Sequence, residues 1–423
     1  MVGQFLPGRF DRWGEEHHIV SAYVFEDQID TILKTSASIN FYMFVGGTNF
    51  GFWNGANGNN GNSYAPTVTS YDRDAPVSES EDCHPVKYSA FHRLLQKYKP
   101  VSAQPLIIPP KSIKKAFGAF YMTYRMLIET VCELLRSAST TSFVEFSDNY
   151  DDVGHGFILY KMRFDYAERM EITGIVLDRA HALVNGLALM TISSVNEGEV
   201  DESISLKNVE SIGKSDNLLE IFVDNMGRVN YKNLNNQRRG LEGQIKEDGV
   251  KLNNWEQRGL DFDENFTRDV WFSSRWQPVS ETTSQLIPTL YSGDLYVDQR
   301  QDTFLDMQEW RKGVVILNGF NLGRCWNVGP QQTLYVPWPL LRLELNKVMI
   351  FELESPAKRF KVASIDRPLL ARLDKNQIIL STHLSNRHFA KSVYIYIYIY
   401  IYIYIYICVC VCGIVVLVNI LLL

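Results

Sequence analysis

NFYMFVGGTNFGFWNGAN, residues 40–57, crowds aromatic side chains together with glycines and asparagines. Aromatic residues at this density favour burial, whereas glycine and asparagine weaken helices and long strands. The stretch therefore predicts a short buried strand that ends in a wide loop lined by aromatic rings. Such a loop suits a binding site, and chemistry there would require acidic groups close by.

One helix is predicted on each side of this strand. Residues 21–34 carry apolar side chains at helical spacing, and residues 84–97 do the same with a proline near the start. The apolar face of the first helix would comprise Val24, Ile29, Ile32 and Leu33. Helix, buried strand, loop and helix, in this order, are typical of an α/β fold with a parallel sheet.

The pattern changes beyond about residue 140, where short apolar runs alternate with Gly, Asn and Asp turns. Runs such as GFILYKMRF, LLEIFVDN and GVVILNGF predict the strands of β-sandwich or jelly-roll modules. Two such all-β modules fit, at residues 145–265 and 266–365. Residues 99–144 are predicted to be a proline-rich linker and connecting segment, and residues 366–391 a polar tail.

Composition excludes several classes of function. The chain has 423 residues and a formal net charge of −6, so it is long enough for two or three domains and lacks the basic surface of a nucleic-acid binder. Three of the six cysteines lie in the tail, and the other three have neither disulfide nor metal-site spacing. The sequence contains no G-x-S-x-G, phosphate-loop or H-E-x-x-H motif.

Residues 392–423 carry no charged side chain and consist of Tyr-Ile and Cys-Val alternation followed by GIVVLVNILLL. An uncharged apolar stretch of this length can span a membrane. Strict dipeptide alternation, however, favours a translated dinucleotide repeat, so a membrane partner is expected only if this tail is real. The first twenty residues contain no apolar core of the length that a signal peptide requires.

Four segments carry a family resemblance. SINFYMFVGGTNFGFWNGAN at 38–57 and TSYDRDAPVSE at 69–79 resemble the end of the catalytic barrel in glycoside hydrolase family 35 β-galactosidases, in particular the vertebrate β-galactosidase-like proteins. GRVNYKNLNNQRRGL at 227–241 and the segment 313–341 resemble the two β-modules that follow the barrel in that family. The resemblance covers most of residues 1–355 and implies an amino-terminally truncated family member.

The resemblance implies a fold and a reaction. Residues 1–98 would be the last two β/α units of a (β/α)8 TIM barrel, whose active site lies at the carboxyl ends of the strands. The family reaction is retaining hydrolysis of terminal non-reducing β-D-galactose, with galactosides or glycans as partners and without a cofactor or metal. Tyr42 and Asn49 would contact the sugar, although Tyr42 would also suit the core side of a buried strand.

The catalytic groups are where this chain departs from the family pattern. Aligned on FDRWG, the family's nucleophilic glutamate falls on Gln4, whose amide cannot ionise. The acid/base glutamate belongs to a strand that would precede Met1, and a retaining glycosidase needs both carboxyl groups about 5–5.5 Å apart. Arg73 stands where the family has a galactose-facing tyrosine. We therefore expect a catalytically inactive chain.

Other acidic groups are predicted to have supporting roles. Asp72 and Asp74 would share one face of an extended segment, and they are interpreted as a hydrogen-bonding shell around the site, with a substitute catalytic pair as the alternative. The cluster Glu15, Glu16, His17 and His18 follows DRWG. A solvated loop is the favoured interpretation of this cluster over a metal or general-base site.

A non-enzymatic carbohydrate-binding or interaction protein that uses the β-modules remains a second hypothesis. Packing within the fold is the commoner use of tryptophan, but four could instead form a sugar-stacking face: Trp271, Trp276, Trp326 and Trp338. The resemblance implies a lysosomal or secreted protein. Asn265, in the triplet Asn-Phe-Thr, is a candidate glycosylation site.

Overall fold

A computed structural model describes most of the chain. The described residues are 1–59, 63–98, 109–134, 138–139, 155–193, 200–207, 209, 212–230, 240–252, 255–260, 262–280 and 288–370. The predictions for the repeat tail at 392–423, and for all but the first residues of the polar tail at 366–391, lie outside these residues. No helix in the described part of the chain is both long and apolar enough to cross a membrane.

Residues 1–98, the strand–helix region, contain a parallel strand pair and two helices. Its elements are β1 Val2–Phe5, α1 Ala22–Lys34, β2 Ile39–Phe41, β3 Gly47–Thr48, β4 Ala56–Asn59, β5 Ser63–Pro66, β6 Ser70–Tyr71 and α2 Pro85–Tyr98. β1 and β2 run in the same direction, whereas β3 pairs with β6 and β4 with β5 in antiparallel fashion. Both predicted helices are present.

Helix α1 buries a face that is offset from the predicted one. Ser21 caps the helix, because its side chain accepts a hydrogen bond from the Val24 N–H at 3.3 Å. Phe25 and Ile29 are fully buried, whereas Val24 is exposed. The two buried residues are four apart and lie on the same side of the helix. They pack into one cluster with β1 and α2, which comprises Phe5, Phe25, Ile29, Ala90 and Leu94.

The first β-module comprises residues 155–260 together with the short strand at Ala138–Ser139, and consists of two antiparallel sheets around one core. The elements that lead to it and form it are β7 Gly118–Leu127, α3 Ile128–Leu134, β8 Ala138–Ser139, β9 Gly156–Phe164, β10 Arg169–Leu177, β11 Arg179–Val184, β12 Leu187–Ser193, β13 Val200–Ser205, β14 Asn217–Asn225, β15 Gly240–Glu247, β16 Val250–Lys251 and β17 Glu256–Leu260. The strand orders are β13-β10-β15-β16 and β12-β11-β14-β9-β17-β8. Tyr160, Ile221 and Trp255 are fully buried in the core of this module.

The second β-module is a nine-stranded antiparallel sheet. Its remaining elements are α4 Glu264–Trp271, β18 Gln277–Pro278, β19 Thr289–Val297, β20 Thr303–Asp306, β21 Lys312–Leu317, β22 Phe320–Trp326, β23 Thr333–Val336, β24 Glu344–Glu352 and β25 Lys361–Ile365, with 3-10 turns at Trp338–Leu340 and Lys358–Phe360. The strand order is β22-β21-β24-β19-β7-β25-β20-β23, and β18 also pairs with β7.

Strand β7 lies in the middle of this sheet although it precedes the first β-module in the chain. Tyr124 of β7 pairs with Ser292 of β19, and Tyr121 pairs with Lys361 of β25. This strand falls in the segment 99–144 that is predicted to be a linker and connecting segment, because the prolines before it obscure its apolar alternation. In the structure, the first β-module is inserted between β7 and the rest of the second.

The hairpins of both modules use the Asn-Gly turns seen in the sequence. Asn185-Gly186 joins β11 to β12, and Asn318-Gly319 joins β21 to β22. All four residues have positive φ, from +50° to +90°. Two consecutive positive φ values are characteristic of the type I′ turn, which matches the twist of paired strands. The chain is therefore β-rich with few helices, and the predicted strand runs are confirmed for the described residues.

The two β-modules pack through a shared aromatic cluster. Phe157 and Phe222 of the first module stack with ring centroids 5.1 Å apart. Phe351 of the second module meets them at 5.4 and 5.5 Å. Val131 of α3 and Val270 of α4 are fully buried in the same cluster. This shared cluster gives the modules a common hydrophobic core at their contact.

Candidate functional site

The carboxyl ends of β1 and β2 lie side by side, because the Tyr42 N–H donates to the Phe5 carbonyl oxygen at 2.8 Å. Phe5 and Phe41 meet edge to face at 5.3 Å and pack with the helices. Gln4 and Tyr42 are exposed, and Tyr42 shows 40% of its surface to solvent. Because side chains alternate across a strand, the strand ends present an amide and a phenol on the side away from the helices.

The guanidinium of Arg73 lies among three aromatic rings beside these strand ends. Its Cζ is 5.1 Å from the ring centroid of Phe10 and 5.2 Å from those of Tyr42 and Tyr71. Nη1 donates to the Tyr71 hydroxyl at 2.8 Å, and the hydroxyls of Tyr71 and Tyr42 are 3.3 Å apart. The hydrogen bond with Tyr71 raises the pKa of Tyr42 by more than the nearby guanidinium lowers it. The structure thus brings Tyr42 and Arg73 together.

Gly8 allows the loop after β1 to approach the backbone of Arg73. A Cβ at Gly8 would lie 1.9 Å from the Arg73 carbonyl oxygen and 3.0 Å from the Asp74 Cβ. No side chain fits in that space. Arg73 itself has a left-handed backbone with φ of +58°. The close approach at Gly8 and this turn together set the position from which the Arg73 side chain extends.

The carboxyl groups on either side of this arginine accept backbone hydrogen bonds. Asp72 accepts from the N–H groups of Glu79 at 2.8 Å and Asp74 at 3.1 Å. Asp74 accepts from the Val20 N–H at 2.6 Å and forms a buried ion pair with Lys87. Burial raises the pKa of Asp72 by more than its two hydrogen bonds lower it. Both carboxyl groups therefore hold the loop that carries the arginine.

Glu79 is an unusual acidic group that the sequence does not single out. Its two carboxyl oxygens accept from the hydroxyls of Thr48 and Ser70, each at 2.5 Å. Burial, reinforced by the negative charge of Asp72, raises the pKa of Glu79 to about 7 although both hydroxyl hydrogen bonds lower it. The local sequence APVSE at 75–79 gives no signal of this environment, because it is compatible with an ordinary exposed loop.

The acidic and histidine cluster after DRWG is organised by Asp11. This buried carboxylate lies 2.6 Å from His17 Nδ1 and accepts from the His18 N–H at 2.9 Å. The contact with Asp11 raises the pKa of His17 by more than burial lowers it. Among the described residues, no three or more His, Cys, Asp or Glu side chains are arranged to hold a metal ion. The cluster orders a loop through one carboxylate.

The aromatic loop after β2 packs mainly against the β-modules. The ring of Phe50 lies 5.2 Å from that of Phe320, and the ring of Phe52 lies 5.8 Å from that of Phe157. Trp53 is 87% exposed. The expected ring-lined floor for a sugar is therefore not formed by Phe50 and Phe52, because these rings are used in the contact between the loop and the modules.

Asn49 is held in the loop after β2 by its backbone. Its N–H donates to the Thr69 carbonyl oxygen at 2.8 Å. Asn54, further along the loop, donates through Nδ2 to two backbone carbonyl oxygens at 2.9 and 3.0 Å. The Nδ2 group of Asn54 thus holds the backbone at Thr67 and Met226.

A cleft lies beside α4 and the β21–β22 hairpin, apart from the strand ends of β1 and β2. Its volume is about 590 Å³. Its apolar wall contains Trp271, Phe320 and Phe272, of which the last is 80% exposed. Arg268 and Arg342 supply charged groups. Aromatic faces beside polar side chains are the combination that binds sugar rings, since a pyranose has an apolar face and a polar rim.

The other tryptophans have separate partners. Trp326 packs on Trp13 with centroids 6.3 Å apart. Trp276 donates through Nε1 to a carbonyl oxygen of α4 at 2.9 Å. Trp338 is half-exposed, with the Arg300 guanidinium 4.9 Å from its ring centroid. Of the four candidates, Trp271 is the one that lines the cleft beside α4.

Asn265 lies in the first turn of α4 and is exposed. Asp263 caps this helix by accepting a hydrogen bond from the Phe266 N–H at 2.6 Å. Thr267 of the same triplet is buried, and its hydroxyl donates to the Glu264 carbonyl oxygen at 3.1 Å. The candidate glycosylation nitrogen therefore faces solvent from an ordered helix.

Three family models match the chain. Residues 1–98 match "Glycosyl hydrolases family 35". Residues 151–261 match "Beta-galactosidase, first all-beta domain", and residues 288–346 match "Beta-galactosidase, galactose-binding domain". Their order along the chain is the order of the strand–helix region and the two β-modules.

Curated relatives agree with these matches. The chain is 34% identical over 377 residues to the β-galactosidase of Bos taurus, covering 83% of this chain and 54% of that protein. It is 33% identical to the β-galactosidase-1-like protein 2 of Homo sapiens, and this match covers 85% of this chain and 55% of that protein. For the β-galactosidase 17 of Arabidopsis thaliana the identity is 32%, with 86% and 55% covered. The chain spans just over half the length of these relatives.

Proposed function

This chain belongs to glycosyl hydrolase family 35, and from that membership we propose that Gln4, Tyr42 and Arg73 form a β-galactosidase-like sugar site. Residues 1–98 would then be the last two units of a (β/α)8 barrel. The parallel pair of β1 and β2, with both helices on one side and polar strand ends on the other, supports this assignment, because barrel sites lie at the carboxyl ends of the strands.

The observation that carries the proposal is the amide of Gln4 on the same exposed side as Tyr42. Retaining hydrolysis of a β-galactoside requires a carboxylate nucleophile and a second carboxyl group as acid and base. The amide of Gln4 can serve neither as the nucleophile nor as the acid and base. The oxygens of Asp72 and Asp74 accept from backbone N–H groups and support the loop. The proposed site therefore binds β-galactosides and does not hydrolyse them.

The residues have distinct roles in this proposal. Tyr42 offers its exposed ring to the apolar face of the sugar and its hydroxyl to a sugar hydroxyl. Arg73 fixes the ring of Tyr42 from behind and supplies donors to the same pocket. Asp72 and Asp74 form the supporting shell beneath them. Asn49, in the loop after β2, contributes a polar group to the sugar site.

Three measurements on the purified full chain test this function. We expect no release of nitrophenol from nitrophenyl β-galactoside above a mock preparation, and no covalent adduct with a 2-fluoro galactoside in the intact mass. We expect saturable binding of a non-hydrolysable thiogalactoside by calorimetry, lost in Tyr42→Ala and kept in Tyr23→Ala, which removes an exposed tyrosine of α1. Turnover that disappears in Tyr42→Ala would contradict the predicted inactivity.

A second candidate function is carbohydrate binding by the cleft beside α4. The exposed Phe272 and the adjacent Trp271, with Arg268 and Arg342 at the same cleft, favour it. On a glycan array, Phe272→Ala and Trp271→Ala should reduce binding, whereas the exposed Tyr166→Ala in the first β-module should not. If only Tyr42→Ala reduces binding, the cleft is not the sugar site.

The compartment that fits this chain is lysosomal or secreted. The exposed Asn265 would carry an N-glycan in that compartment. Digestion of the endogenous protein with an N-glycosidase should lower its mass at this site, and an unchanged peptide mass at Asn265 would contradict it.

A further inference from the structure

Arg73 is a buried cation that has no counter-ion among the described residues. Only 7% of its surface is exposed. Within the described residues no carboxylate lies within ion-pair distance of its guanidinium, and of its three nitrogens only Nη1 donates to a protein atom. Nε is buried and makes no hydrogen bond. Arg324, which is buried to a similar degree, lies 3.6 Å from the carboxylate of Asp224.

An uncompensated guanidinium at this depth is unusual, since buried charges are ordinarily paired. The rings of Phe10, Tyr42 and Tyr71 stabilise the cation through their faces. They leave its remaining N–H donors unused. Guanidinium groups match carboxylate and sulfate geometry and bind them through paired hydrogen bonds. The unused donors thus specify an anionic partner.

The neighbouring acidic groups do not supply that partner. The carboxylate of Asp74 is paired with Lys87, and that of Asp72 accepts two backbone N–H groups. The exposed phenol of Tyr42 is a hydrogen-bond donor as well, and its ring centroid lies 5.2 Å from the Arg73 Cζ. Phenol and guanidinium therefore offer hydrogen-bond donors side by side, and an acceptor-rich ligand complements them.

We propose that Arg73 receives the carboxylate or sulfate of an acidic sugar bound at the strand ends. This inference rests on the proposed sugar site and names the class of its ligand. The sugar ring lies on the exposed face of Tyr42, and its anionic group reaches the free N–H donors of Arg73. The exchange of a tyrosine for an arginine at this position then changes the preference of the site from a neutral to an acidic hexoside.

The test is calorimetric titration of the full chain with three methyl β-glycosides: the neutral galactoside, the galacturonide and the galactoside 6-sulfate. We expect at least one anionic glycoside to bind about tenfold or more tightly than the neutral one. The comparison of the galacturonide with the sulfate shows which anion is preferred. Arg73→Gln should abolish this preference, and Arg73→Lys should retain part of it because the charge remains.

Arg300→Gln is the matched control, because Arg300 also lies over an aromatic ring but is exposed on the second β-module. It should leave all three affinities unchanged. Arg73→Gln should lower the melting temperature only modestly, because it removes ring contacts and one hydrogen bond but no ion pair with any described residue. Equal affinity for the three glycosides, or a preference for the anionic ones that survives Arg73→Gln, overturns the inference that Arg73 binds an anionic group. Neither result contradicts the proposed sugar site. Absence of binding by all three overturns the proposed sugar site as well.

Discussion

Asp224 of the first β-module and Lys312 of the second form an ion pair in which both side chains are almost completely buried. Burial alone would raise the pKa of Asp224, but the positive charges of Lys312 and Arg324 hold it below its usual value. Arg324 also donates to the Asn225 carbonyl oxygen. One carboxylate thus joins two cations of the second module to the first.

Removing one member of this pair should destabilise the protein strongly. We expect Lys312→Met to cost about 3–5 kcal/mol in the free energy of unfolding, because the carboxylate is left buried without its partner. Asp224→Asn should cost more, since two cations then lose their counter-charge. Chemical unfolding measures both. Lys347→Met, which removes a partly exposed pair with Asp294, should cost about 1 kcal/mol or less. Equal losses of stability in all three variants would contradict the buried ion pair between Asp224 and Lys312.

Glu79 should make the protein less stable as the pH rises from about 4.5 to about 7. Burial raises the pKa of Glu79 to about 7 in the folded state from 4.5 in the unfolded chain. The folded state therefore binds more protons in this window, and the free energy of unfolding falls by roughly 1 to 3 kcal/mol as the pH rises.

Glu79→Gln isolates this contribution, because the amide imitates the protonated carboxyl group at every pH. The variant should show a shallower loss of stability between pH 4.5 and 7 than the wild type. Glu16→Gln, at an exposed position, should leave the wild-type slope unchanged. A Glu79→Gln profile parallel to that of the wild type would show that Glu79 ionises normally in the folded protein.

The sequence predicted the elements whose pattern is local. Helix α1, helix α2 and strands such as β9 follow from spacing, and the Asn-Gly turns follow from the backbone that such pairs adopt. The position of β7 in the middle of the second sheet could not be predicted from the sequence, because its partner strands are far away in the chain. For the same reason the burial of Glu79 was not predicted. It depends on hydroxyl groups from two separate strands, β3 and β6.

The candidate site was only partly predictable. The resemblance placed Tyr42 and Arg73 in one pocket, and the structure brings them together. It could not show that Phe50 and Phe52 turn toward the β-modules, since an aromatic residue in a loop has no sequence signal for the surface it packs against. Nor could it show that Arg73 lacks a carboxylate partner in the part of the chain that the structure describes, because Asp72 and Asp74 are its direct neighbours in sequence.

Gly8→Ala should disturb the Arg73 loop although it adds one methyl group. The new Cβ would lie 1.9 Å from the Arg73 carbonyl oxygen, so the backbone must move. We expect a loss of roughly 1–3 kcal/mol in stability and weaker glycoside binding. Gly3→Ala is the control on β1, because a Cβ there would meet nothing within 4 Å. Thermal unfolding distinguishes the two, and similar melting temperatures for both would contradict the close approach.

Gln4→Glu alone should not produce a β-galactosidase. The change supplies a carboxylate at the strand end, but a retaining mechanism needs a second carboxyl group that is free to donate a proton. The nearby Asp72, Asp74 and Glu79 are held by hydrogen bonds to the backbone or to hydroxyl groups. Galactose release from lactose, whose sugar leaving group must be protonated, should be no faster with the variant than with the wild type. Sustained release of galactose from lactose by Gln4→Glu would reveal an unrecognised proton donor.

The position of β7 in the second β-module has a consequence for how the chain assembles during synthesis. β7 leaves the ribosome before the first β-module, but its neighbours β19 and β25 emerge only after that module is complete. Until then its backbone N–H and C=O groups have no partners in that sheet. Closure of so long a loop is entropically costly and slow. A folding chain therefore exposes one unpaired, aggregation-prone strand throughout the synthesis of the first β-module. We expect chaperones to bind the chain during this interval.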